Sequence, residues 1–134
     1  MKSTAARVRT LSKLVTACLV IVGLINFVPV FAVLSAAQLE SAYAVQLQGV
    51  DIELLMRHRA LLFGIVGGFT LYAAFVPRYQ SAAMLMAGAS MVGFAALLLG
   101  TGGYNEALAK VLVADYVGIA FLAVAAVLRY QERG

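Results

Sequence analysis

Four apolar stretches, at residues 14–34, 54–76, 82–100 and 108–128, fill most of this chain of 134 residues. Each approaches or exceeds the ~20 helical residues that a hydrocarbon core of about 30 Å requires. Inside lipid every backbone N–H and C=O must be satisfied within its own segment, so runs of this kind fold as helices. The sequence predicts an all-α membrane protein, a four-transmembrane-helix antiparallel bundle that forms a single integral membrane domain over residues 1–134. The linkers are 35–53, 77–81 and 101–107. Pro77 and the Gly102-Gly103 pair punctuate the two short ones, which make consecutive helices antiparallel neighbours.

The basic residues set an orientation. Lys2, Arg7, Arg9, Lys13, Arg78, Arg129 and Arg133 fall on one side of this topology. Only Arg57, Arg59 and Lys110 fall on the other, beside Glu40, Asp51, Glu53 and Glu106. Cytoplasmic loops carry the excess of Lys and Arg, so both termini are expected in the cytoplasm. Tyr79 and Tyr130 then mark the inner interface, and Tyr43 and Tyr104 the outer one. The net charge of +4 is spread over span ends rather than gathered in a patch, so no nucleic-acid partner is expected.

One cysteine, Cys18, excludes an internal disulfide and a Cys-based metal cluster. Val15-Thr16-Ala17-Cys18 has the form of a lipoprotein cleavage box, but no adequate apolar run precedes it. Ser35-Ala36-Ala37 has the form of a signal-peptidase site, yet the run at 14–34 is long for a signal peptide, so the first helix is expected to be retained. Gly64, Gly67 and Gly68 make no nucleotide loop, because no strand precedes them and no Gly-Lys-Ser/Thr follows. One histidine per chain rules out a bis-histidine haem within it, and Met56, Met84, Met86 and Met91 read as core filler rather than ligands. No metal and no cofactor is expected.

Lipid supplies no hydrophobic drive between helices, so small residues carry much of the packing. Ala60, Gly64 and Gly68 recur every fourth residue on the second span, and four residues advance ~400°, so they form a stripe. Ala89 and Gly93 on the third span, and Ala114 and Gly118 on the fourth, are the corresponding positions. These stripes pack one bundle, with a homodimer seam as the alternative.

The charged run Glu53-Leu54-Leu55-Met56-Arg57-His58-Arg59 leads directly into apolar sequence. Charge within a membrane is costly and marks candidate functional positions. Arg57 precedes Gly64 by about two turns and so joins the small-residue stripe, whereas Arg59 lies ~200° away from it. Asp115, the only acid within the fourth span, precedes Gly118 by three residues, and Asn26 follows Gly23 by three. At ~1.5 Å per residue, Asn26 lies about 12 Å, and Arg59 and Asp115 about 8 Å, inside the outer ends of their spans. The simplest arrangement is an Arg57–Asp115 ion pair with Asn26 adding hydrogen bonds, because the planar guanidinium grips a carboxylate with two bonds. His58 and Arg59 complete the cluster, and the sequence leaves open which arginine faces Asp115. Pro29 removes a backbone bond to residue 25, so a local kink is expected at Asn26-Phe27-Val28-Pro29.

The segment Asp51-Ile52-Glu53-Leu54-Leu55-Met56-Arg57-His58-Arg59-Ala60 and its continuation to Gly68 resembles a family of small four-helix bacterial inner-membrane proteins. Gly103-Tyr104-Asn105, the Lys110 to Asp115 stretch and Asn26 to Pro29 fit the same resemblance. It implies a multi-pass protein of the bacterial inner (cytoplasmic) membrane and brings no established activity. Some members carry the label phosphopantetheine adenylyltransferase. That soluble α/β chemistry uses a His-x-Gly-His motif, whereas the single histidine here is followed by Arg59-Ala60-Leu61.

Three functional readings follow. The leading one is a module without catalysis that binds a lipid, an anionic ligand or a membrane partner protein near the outer leaflet, through Arg57 and Asp115 with Asn26, His58 and Arg59. A dimeric, proton-coupled small-molecule transporter is the second, with Asp115 in place of the first-helix glutamate of small multidrug transporters. A membrane enzyme acting on a lipid-like substrate through His58 is the third. Within the first reading a purely structural ion pair competes with a ligand site.

Overall fold

The sequence folds almost entirely into helix. The computed structural model describes residues 2–46 and 48–134; Met1 and Leu47 lie outside it. Its α-helices are α1 (Lys2–Phe27), α2 (Ala36–Tyr43), α3 (Val50–Ala74), α4 (Gln80–Thr101) and α5 (Glu106–Arg133). Among the described residues, α1, α3, α4 and α5 are long and apolar enough to cross a membrane. The protein is therefore a multi-pass membrane protein with a four-helix core.

Local chemistry accounts for the boundaries. Asp51 and Glu53 occupy the first turn of α3, where carboxylates complement the positive end of the helix dipole. Asn105 caps α5, its side chain accepting from the Leu108 N–H at 2.9 Å. Pro77 opens a 3-10 turn, Pro77–Tyr79, between α3 and α4. Gly102 and Gly103 both hold positive φ, 69° and 66°, in the α4–α5 turn, a conformation that side chains disfavour.

Two departures from the sequence expectation appear between the first and second spans. Pro29 does not kink the first helix. The α-helix ends at Phe27 and the chain continues as a 3-10 helix, Val28–Leu34. The proline cannot donate to residue 25, and the tighter coil needs no such bond. The stretch at 35–53, expected as a linker, contains α2. Leu39 and Tyr43, one turn apart, are buried against Ala60 of α3, which makes this short helix a cover for one end of the bundle.

The core lies where α1, α3, α4 and α5 meet, around Leu19, Val22, Ala87, Met91 and Leu122. Small residues let α1 approach α3. A Cβ on Gly67 would stand 2.6 Å from Phe27 Cα and 2.8 Å from the Asn26 carbonyl carbon, so two backbones touch there. A Cβ on Gly64 would overlap Val30. A Cβ on Gly68 would meet only the Phe27 ring, at 3.8 Å. The closest seam thus runs through Gly64 and Gly67 rather than Gly68, with Ala60 facing α2. A repeat of four drifts about 40° per step, and a step of three brings the stripe back to the facing helix.

The same geometry relocates the α4 stripe. Its buried residues are Gln80, Ala83, Ala87, Met91, Ala95 and Leu98. Ala89, two residues from both Ala87 and Met91, faces outward and is exposed, and a Cβ on Gly93 would meet nothing within 4 Å. On α5 the buried face is Leu112, Asp115, Gly118, Leu122 and Ala125, with Gly118 against Met91 Sδ and Ala114 exposed.

Candidate functional site

The Arg57–Asp115 pair does not form. The Arg57 Nη2 lies 2.6 Å from Glu53 Oε1, one turn back on the same helix. Both side chains are about one-third exposed or more, at 40 % and 34 %. An acid four residues before a base on a helix is the favourable orientation for such a pair, and it avoids the cost of carrying both charges into the core. His58 is exposed on α3 and takes no part in a buried cluster. Asn26 is buried, but it donates to Val22 O at 2.9 Å and contacts Met91 Sδ at 3.7 Å, so it braces the middle of the bundle.

Arg59 is the cation that turns inward. It lies nine residues into α3, and Asp115 lies nine residues into α5. Both helices start beside α2, so both side chains sit about 13 Å along their helices from the same end. Asp115 is buried, only 6 % exposed, and lies within electrostatic range of Arg59.

Three rings surround the guanidinium. Its carbon stands 5.0 Å from the Tyr43 centroid, 5.0 Å from Phe63 and 4.9 Å from Phe94. These come from α2, α3 and α4, so the cage exists only in the folded bundle. Ring faces attract a cation without consuming its N–H donors. Nη2 is covered by protein and has no hydrogen-bond partner among the described residues. A buried charged donor left unpaired costs more than a neutral one; Arg57 Nε is also unpaired, and what sets Arg59 apart is that three rings surround its guanidinium.

Tyr43 was expected at a membrane interface. Its side chain is buried in the bundle, and its position is fixed from α5. Asn105 Nδ2 donates to Tyr43 O at 2.9 Å and to Ala44 O at 3.1 Å while its side-chain oxygen caps α5. Ala44 ends α2 with φ 49°, a left-handed conformation that turns the chain towards α3. One amide therefore ties the α2 end, the α5 start and one wall of the cage. Sequence reasoning missed this role; its only local sign was an Asn at a helix N-cap position.

Beside the cage an open-sided cleft of about 350 Å³ runs between α3 and α4. Arg59, Leu62 and Val66 line one wall, and Ser90, Gly93 and Leu97 the other. Phe63 and Phe94 belong to both cleft and cage. A larger hollow, about 810 Å³, flanks the start of α1, but that single helix supplies its whole lining from Thr4 to Lys13, so it encloses nothing.

No family model, curated protein or solved structure matches this chain. The reading of the site rests on its chemistry.

Proposed function

We propose that this protein is a small bacterial inner-membrane module, without catalysis of its own, that binds an anionic ligand drawn from the membrane at Arg59. The observation that carries this reading is a guanidinium inside a membrane bundle that is held by three rings yet keeps an unpaired buried donor beside an open cleft. Arginine suits the task because its planar fork offers paired donors to phosphate or carboxylate oxygens. Asp115 is the acidic side chain within electrostatic range of Arg59. Phe63 and Phe94, which line the cleft, are the rings that turn aside when a ligand oxygen reaches Nη2.

The basic ends of the spans support cytoplasmic termini, which place the α2 end, and hence Arg59, in the outer half of the membrane. Single cysteines introduced at Ser3 and at Gln48 test this. An impermeant thiol reagent applied to intact cells is expected to label Gln48→Cys and to spare Ser3→Cys; the reverse pattern would invert the topology.

The binding reading is tested by thermal unfolding of the detergent-purified protein. Phosphatidic acid is expected to raise Tm while phosphatidylcholine is not, and Arg59→Gln is expected to abolish the difference. Equal responses in the two proteins would remove Arg59 from ligand binding. The transporter reading has a weaker basis, since Asp115 faces the core and a cationic neighbour rather than an open path. The enzyme reading lacks its base, since His58 is on the outer surface.

A further inference from the structure

Gly93 lies on the α4 wall of the cleft, and nothing stands within 4 Å of where its Cβ would be. Gly100, further along α4, is equally open but lies outside the cleft, and several other glycines of the bundle differ. Gly23, Gly64, Gly67 and Gly118 are each crowded by another helical segment, so packing accounts for them. At Gly93 the missing side chain leaves a hollow that no part of this chain occupies.

The cleft has a direction. Arg59 and Leu97 stand at one end, Val66 and Ser90 at the other, and Leu62, Phe63, Gly93 and Phe94 lie between. The seven residues from Arg59 to Val66 rise about 10 Å along α3. The cleft is thus cationic at one end and apolar along its length, and it opens sideways between two membrane-spanning helices.

Resting on the reading of Arg59 above, the geometry points to an anionic amphiphile of the bilayer as the ligand. Its phosphate or carboxylate oxygen meets Arg59, and the first methylenes of its chain run down the cleft across Gly93. Charge complementarity selects the head, and the apolar walls select a head that carries a chain. A free anion of the same chemistry would leave those walls unmatched. Gly93 is then a specificity-determining residue, because a side chain there fills the space of the proximal methylenes.

The test uses the full chain in phosphatidylcholine nanodiscs and a lysophosphatidic acid bearing a diazirine on the first part of its chain. After illumination the attachment sites are mapped by mass spectrometry. Labelling is expected on the cleft-lining segments of α3 and α4, with competition by unmodified lysophosphatidic acid and none by glycerol phosphate. Gly93→Leu and Arg59→Gln are each expected to cut labelling roughly tenfold or more, the loss of about one charge-assisted hydrogen bond or two buried methylenes. Circular dichroism and Tm show that each variant is folded, and the mapped sites in the unaltered protein are decisive without them.

Labelling that falls in Arg59→Gln but is unchanged in Gly93→Leu would overturn the chain placement and leave the Arg59 reading standing. Labelling unchanged in Arg59→Gln, or mapped outside the cleft, would overturn both. Equal competition by glycerol phosphate would make the ligand a free anion and overturn the amphiphile.

Discussion

Arg129 and Arg59 occupy opposite ends of the same bundle and are handled in opposite ways. Arg129 donates from Nη1 to Gln80 Oε1 at 2.6 Å, from Nη2 to Pro77 O at 2.9 Å and from Nε to Ser81 Oγ at 3.3 Å. Gln80 in turn donates to Ala74 O, which also accepts from Thr16 Oγ1. This chain of bonds clasps the end of α5 to the start of α4, the end of α3 and the middle of α1. Arg59 has rings where Arg129 has acceptors, and its Nη2 stays unpaired. The donors of Arg129 are met within the chain, whereas Arg59 Nη2 is not, and on the function proposed above that is the difference between a tie and a ligand site.

The comparison can be strained from several directions. The largest effect is expected from Gly67→Ala, at the seam that both ends share. The new methyl meets α1 backbone rather than a movable side chain, so a loss of about 3 kcal/mol is expected in denaturant unfolding followed by circular dichroism. That value scales the others. Arg129→Ala is expected to cost about 2 kcal/mol in the same assay, since three charge-assisted bonds are lost at a partly exposed site, and to leave the Tm response to phosphatidic acid intact. A lost lipid response there would erase the distinction between the ends.

Asn105→Ala removes the α5 cap and frees the end of α2. A cost of about 1 kcal/mol is expected, together with a weaker Tm response to phosphatidic acid, because Tyr43 is no longer held over Arg59. The smallest stability change is expected from the double variant Arg59→Leu with Asp115→Leu. Replacing both members of a buried pair of charged groups with apolar ones is often neutral or better, so unfolding is expected to shift by less than about 0.5 kcal/mol. A loss comparable to that of Arg129→Ala would make Arg59 a second tie and sink the comparison.

Much of the fold was legible because lipid leaves few options. Length and hydropathy alone define the spans, and Pro77 and the Gly102-Gly103 pair stand where the short turns form. The α2 helix was harder to read. Ser35 and Gln38 have the spacing of a capping box, and Leu39 and Tyr43 share a face, but a single buried face of two residues is a faint periodic signal. The Arg59 site was legible only in pieces. Arg59 and Phe63 are one turn apart on α3, whereas Tyr43 and Phe94 arrive from α2 and α4, and no spacing along one helix announces them. Reading Arg57 onto the small-residue stripe was sound helical geometry. It ignored a cheaper partner, Glu53, one turn away at the more solvated end of the helix.

The measurement that tests the central claim most directly is the lipid content of protein extracted from cell membranes into polymer nanodiscs, beside Arg59→Leu and Arg129→Ala. The nanodisc lipids are quantified by mass spectrometry against the surrounding membrane. The unaltered protein and Arg129→Ala are expected to be enriched in anionic lipid, and Arg59→Leu to match the bulk membrane. Equal anionic enrichment in all three, or none in the unaltered protein, would contradict a ligand role for Arg59.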